Sequence, residues 1–171
     1  LRLSGAVDSL NVVLPAERLP EQGIRAGDEL CVEGQVRTFN NKSGTGSRLV
    51  ITVYAMDITP SAGEQLNMVQ LRGVLCKTPV LRRTPMGREI CDVMLAVNRH
   101  YGRADYLPVI LWGRAAREAA LLHTGSELHV RGRLQSRCYI KNEGDCQTRR
   151  TAFEISVIEV VQENEGVKME H

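Results

Sequence analysis

No segment of this chain is long and apolar enough to cross a bilayer as a helix, which takes about 20 residues. Leu1-Arg2-Leu3-Ser4-Gly5 has neither the basic start nor the apolar core of a secretory signal. It also lacks an initiator Met, so a further N-terminal piece is expected to precede it. The five cysteines never form C-x-x-C, and four lie in segments that read as strands, which suits small buried or half-buried thiols in a reducing compartment. His100, His123 and His129 show no ligand spacing with cysteine, so no metal site is expected. There is no G-x-x-x-x-G-K-[ST] loop and no G-x-S-x-G elbow. Asp92, Asp105 and Glu118 read as isolated acids without pairing, which disfavours a nuclease. Neither enzyme chemistry nor a cofactor is expected.

What is present is unevenly distributed. Residues 1–66 carry six Lys/Arg against eight acids, a net of −2. Residues 67–161 carry fifteen against nine, a net of +6, and the last ten residues return to −2. A polyanionic partner is therefore expected for the second half only.

The chain also repeats itself. Asn11–Val36 aligns without a gap on Val109–Leu134 at an offset of 98, matching Gly27 with Gly125, Leu30 with Leu128, Val32 with Val130 and Gly34 with Gly132. Past the next loop the match resumes at an offset of 102, which a longer hairpin loop explains. The second copy reads as five strands: Met68–Cys76, Arg88–Arg99, Tyr106–Trp112, Glu127–Tyr139 and Arg150–Val161. Thr84-Pro85-Met86-Gly87 is a turn, and Ala115–Leu122 has helical spacing between the third and fourth strands. This is the OB-fold pattern. The expectation is an all-β protein of two tandem five-stranded OB barrels. The first lacks its N-terminal strands, with Leu1-Arg2-Leu3 as the end of its second. The divisions are 1–64, 65–163 and a tail over 164–171, joined near Gln65–Asn67.

Strand alternation sorts the side chains. Leu128, Val130, Gly132 and Leu134 share the core face, leaving His129, Arg131, Arg133, Gln135, Arg137 and Tyr139 outward. Likewise Leu107, Val109 and Leu111 face the core, and Tyr106, Pro108, Ile110 and Trp112 lie opposite. Tyr101 falls in the loop between strands two and three. Of five aromatics in the second unit only Phe153 takes a core position. Outward rings could simply pair across strands, and arginine rows are often just a solvated face. Rings and arginines together, however, suit single-stranded nucleic acid: cations take phosphates, and stacking is worth about 1–3 kcal/mol per base.

Residues 67–161 resemble the DNA-binding domain of bacterial single-stranded DNA-binding proteins along its length. The resemblance rests on Asn67–Gly73, Thr84–Gly87, Leu95–Arg99, Val109–Ala116 and Gly125–Leu134, in order and suitably spaced. The family's four stacking positions correspond to Tyr101, Tyr106, Trp112 and Tyr139, and Arg72, Arg99, Arg114, Arg131, Arg133 and Arg137 are the candidate phosphate or groove contacts. The resemblance implies single-stranded DNA as partner, a cytoplasmic, nucleoid-associated role in replication, repair and recombination, contacts with proteins of those processes, and a homodimer that assembles four OB domains through first-strand edges or barrel faces.

Three departures qualify it. Three of the four stacking positions are Tyr rather than Trp. The family's acidic C-terminal tip is not visible in Gly166–His171, so partner recruitment through it is unsupported. In the first unit Trp112 becomes Leu14, Tyr106 becomes Asp8, Tyr139 becomes Asn41 and Arg131 becomes Glu33. That unit is expected to serve assembly, with Arg37 and Phe39 as its only DNA contacts. The alternative is a primosome-type OB adaptor acting through protein contacts; an OB-fold enzyme or sugar binder lacks a carboxylate pair or metal cluster.

Overall fold

A computed structural model describes residues 9–43, 48–63, 65–144 and 146–161, except for the side chain of Glu143. The expected strand at Leu1–Leu3, the Asp8 counterpart and the tail with its tip lie outside the described residues.

Among the described residues nine strands run in chain order: β1 (Asn11–Val13), β2 (Leu30–Asn40), β3 (Leu49–Pro60), β4 (Val69–Leu75), β5 (Val80–Arg83), β6 (Glu89–Asn98), β7 (Ala104–Trp112), β8 (Glu127–Glu143) and β9 (Cys146–Val160). One helix, α1 (Gly113–Ala119), separates β7 from β8. In the second unit neighbours pair in the order β4-β8-β9-β7-β6-β5. The ring closes where β4 meets β6, through Val74↔Ala96 and Leu75↔Leu95. β7 and β9 run parallel and the other pairs antiparallel. This five-stranded ring with a helix after its third strand is the OB barrel, and β5 is an added hairpin strand on β6.

The core follows from period-two alternation. Leu128, Val130 and Leu134 of β8 and Leu107, Val109 and Leu111 of β7 are all buried, as alternation required. They meet Leu75, Cys91, Leu95 and Ile155, with Ala116 and Ala119 of α1 closing one end. The helix begins two residues before its expected start, because Gly113 at φ +55° turns the chain directly out of β7. The hairpin of β8 and β9 reaches Glu143 and Cys146, beyond the expected Tyr139 and Arg150.

The first unit is a three-stranded sheet in the order β1-β3-β2, the counterpart of β7, β9 and β8. Each unit has a register shift at the same place, between Glu33 and Gly34 and between Arg131 and Gly132. There a Cβ on Gly34 would overlap the Tyr54 carbonyl, and one on Gly132 the Ser156 carbonyl. These positions differ by 98 and 102 residues, the two repeat offsets. The parallel pairing corrects the gapless match. Val53 pairs with Val12, whereas Ile155, its counterpart, pairs with Val109, an offset of 97. The extra residue goes into α1, where the first unit has only a 3-10 turn at Ala16–Arg18. Trp112 therefore matches Pro15 rather than Leu14, and Tyr106 matches Ser9 rather than Asp8. Leu10 and Ile51 join the same apolar cluster as the barrel core, so the two units pack together.

Candidate nucleic-acid interface

β7 sets the axis of the site. Its outward row runs Tyr106, Pro108, Ile110 and Trp112, opposite Ala96, Met94, Asp92 and Ile90 of β6. Pro108 and Ile110 floor an open groove of about 440 Å³. Met94, Asp92, Val80 and Arg82 line one side, Arg137 and Glu154 the other, with Lys77 and Thr78 from the β4–β5 connection. Tyr106 and Trp112 flank this floor along the strand. Ile110, expected outward, does face the groove, yet β9 beside it leaves it buried.

The four candidate rings occupy different environments. Tyr101 is wholly exposed and is the only non-glycine with positive φ (66°) among the described residues. A side chain in that region costs about 1–2 kcal/mol, and no packing of the ring offsets it; only an edge contact with His100 is present, at 6.5 Å between centroids. Tyr106 is 48% exposed and Tyr139 39%. Trp112 is half-buried: its Nε1–H donates to Ser156 Oγ at 2.9 Å, and the Arg88 guanidinium lies over the ring at 4.7 Å. Tyr139 alternates with Arg137 and Gln135 along β8 and pairs across to Arg150.

The arginines are less free than their number suggests. Arg72 pairs with Glu127 at 2.6 Å, Arg99 with buried Asp105 at 2.9 Å and Arg114 with Glu118 at 2.7 Å. Arg131 lies 3.4 Å from Glu159, and Arg137 3.5 Å from Glu154. Arg133 alone of the six candidates has no ion pair among the described residues. The Arg72 guanidinium holds the Glu127 carboxyl below the ordinary carboxylate range, and Arg117 does the same for Glu89. Asp92, Asp105 and Glu118 are thus not isolated acids. Their partners are Arg82 on the neighbouring strand β5, Arg99 just past the end of β6 and Arg114 one helical turn away.

Sequence reasoning missed β5 and with it Arg82, which donates to Asp92 inside the groove and whose own pKa that bond raises. The signal was present: Val80-Leu81-Arg82-Arg83 and Glu89-Ile90-Cys91-Asp92 flank the Thr84–Gly87 turn with complementary charge. The cysteines also differ from expectation. Only Cys91 is buried, where desolvation pushes its thiol up; Cys76 is half-buried, and Cys31, Cys138 and Cys146 are exposed because they stand on outward or hairpin positions. In the first unit Phe39 is exposed, while Arg37 lies 3.8 Å over the Tyr54 ring.

A closed OB barrel, with exposed rings beside a groove lined by Lys77, Arg82, Arg137, Asp92 and Glu154, defines a module of the OB type. The model of the single-strand binding protein family matches residues 66–162, and the chain belongs to that family. It is 35% identical over 102 residues to a single-stranded DNA-binding protein of Clostridium tetani, covering 56% of this chain and 68% of that one. It is 41% identical over 85 residues to single-stranded DNA-binding protein B of Bacillus subtilis, covering 46% and 75%. Among solved structures, the wild-type single-stranded DNA binding protein from Thermus aquaticus superposes with a TM-score of 0.64 at 27% identity, covering 83% of this chain. This chain spans 62% of that Thermus chain.

Proposed function

We propose that residues 65–163 bind single-stranded DNA without sequence preference, protecting it during replication, repair and recombination with no catalytic step. The observation that carries this reading is the outward row of β7. Tyr106 and Trp112 bracket a groove lined by Lys77, Arg82 and Arg137, and Tyr101 stands fully exposed on a strained backbone. Packing does not require any of these rings to face solvent, whereas every base offers a face to stack on. Tyr101, Tyr106, Trp112 and Tyr139 stack bases. Arg133, together with Arg72, Arg99, Arg114, Arg131 and Arg137 where they exchange a carboxylate for a phosphate, holds the backbone. Family membership and the names of the relatives support the ligand class.

Residues 1–64 form a second OB unit, of which β1, β2 and β3 are described. Two OB units per chain make a homodimer with four. The match to the Thermus protein, which extends over more of this chain than one barrel, supports the tandem reading. A primosome-type adaptor is not favoured, because protein contacts alone give no reason for all four family positions to be aromatic.

Trp112 is the only tryptophan, so titrating the full chain with oligothymidine while following its emission is the direct test. Emission falls and the midpoint moves to higher oligonucleotide with added salt. Unchanged emission, together with no co-migration of chain and oligonucleotide, overturns the reading.

A further inference from the structure

Thr38 occupies a core-facing position of β2, between Val36 and Asn40, where a hydroxyl is costly unless it has partners. It has two, and both belong to the other unit. The Thr38 N–H donates to Asp105 Oδ1 at 2.7 Å, and its hydroxyl lies 3.4 Å from the same oxygen. The Tyr106 N–H donates to Thr38 Oγ1 at 2.9 Å. Thr38 and Asp105 are 7% and 2% exposed, and the Arg99 guanidinium 2.9 Å from Asp105 Oδ2 balances the buried charge.

The backbone explains why a partner is needed here. One edge of β7 pairs with β6 along its whole length, but β9 takes the other edge only at Val109 and Ile110. Before that point this edge is open, and Pro108 has no N–H to leave exposed. Tyr106 does, and an N–H left without a partner away from water is costly. The first unit fills the gap with one side chain rather than with a strand.

We infer that Thr38 and Asp105 form a latch through which the first unit positions Tyr106 for base stacking. The inference rests on the function proposed above. It makes the first unit a determinant of DNA affinity without requiring any base to touch it. Thr38 is a positioning residue: it fixes the backbone that aims the ring.

The test uses the full chain with Thr38→Val, which keeps the branched shape and removes the hydroxyl, and Thr38→Ser, which restores it. Amide exchange at Tyr106 accelerates about tenfold in Thr38→Val, the worth of one hydrogen bond, and returns to the parent rate in Thr38→Ser. Oligothymidine affinity falls about threefold to tenfold in Thr38→Val and recovers in Thr38→Ser. In a Tyr106→Ala background Thr38→Val changes affinity by less than about twofold, because the ring it aims is gone. A general loss of stability would instead weaken both backgrounds alike, which overturns the positioning role. Unchanged exchange at Tyr106 overturns the latch itself. A parent chain that fails to bind oligothymidine sinks the proposed function, while the exchange measurement still decides the latch.

Discussion

Trp112 illustrates how one side chain can be fixed and available at once. Ser156 holds its indole N–H at 2.9 Å and Arg88 covers one ring face at 4.7 Å, so its orientation is set before a base arrives. In the proposed role, a base would stack on the remaining face or displace Arg88. Tyr139 has no such hydrogen bond or cation contact among the described residues. Replacing either ring by Ala is expected to weaken oligothymidine binding by about 1–3 kcal/mol, read from titration of each variant; parent-like affinity in both would refute the stacking assignment. Glu154 acts in the opposite direction. Its carboxylate is buried beneath the groove, accepts from Gln135 Nε2 at 2.9 Å and lies 3.5 Å from Arg137. A phosphate must compete with it for that guanidinium. Glu154→Gln keeps the shape and removes the charge, so affinity is expected to rise by about 0.5–1 kcal/mol, the scale of a half-exposed ion pair. Weaker binding by the same titration would show that the pair instead holds Arg137 in its binding position.

At the scale of elements, the β8–β9 hairpin carries the most weight, since it supplies Arg133, Arg137, Tyr139, Glu154 and Ser156 together. Its register turns on Gly132, where an added Cβ would overlap the Ser156 carbonyl. Gly132→Ala is expected to cost about 1–3 kcal/mol in urea unfolding and to loosen the Trp112 indole, which red-shifts its emission. An unchanged midpoint would mean that the hairpin slips without penalty. Alternation made the buried faces of β7 and β8 legible from sequence, because period two is read residue by residue. The added strand β5 was missed because four residues are too few for a period to show, and its one signal is the complementary charge on either side of the Thr84–Gly87 turn. The Arg72–Glu127 pair was hidden for a different reason: strands bring together residues whose spacing in sequence carries no signal. The hairpin ran past Tyr139 because its outer turns hold polar cross-strand pairs rather than apolar alternation. The Thr38–Asp105 contact lay beyond sequence altogether, as it depends on how the two units dock.

For the whole molecule, two consequences follow from what the folded units leave unpaired. Among the described residues β4 pairs with β6 only at Val74 and Leu75, a short seam at the start of the barrel's first strand beside which a strand of a second copy would add. A homodimer is expected in sedimentation at micromolar concentration, and a monomer there would refute it. Charge gives the second consequence. The net +6 of residues 67–161 suggests steep salt dependence, but Arg72, Arg99, Arg114, Arg131 and Arg137 already have carboxylates. When phosphate replaces such a carboxylate, the freed acid takes up the cation that the phosphate releases, and the net ion count hardly changes. Lys77, Arg88, Arg103, Arg133 and Arg149 have no carboxylate partner among the described residues, so they contribute in full. At about −0.7 per phosphate on a single strand, the slope of log K against log salt is expected to be about −3.5. If all fifteen cations acted, it would approach about −10. A titration series across salt separates the two, and a slope nearer the steeper value would mean that the carboxylate pairs open on binding without recruiting ions.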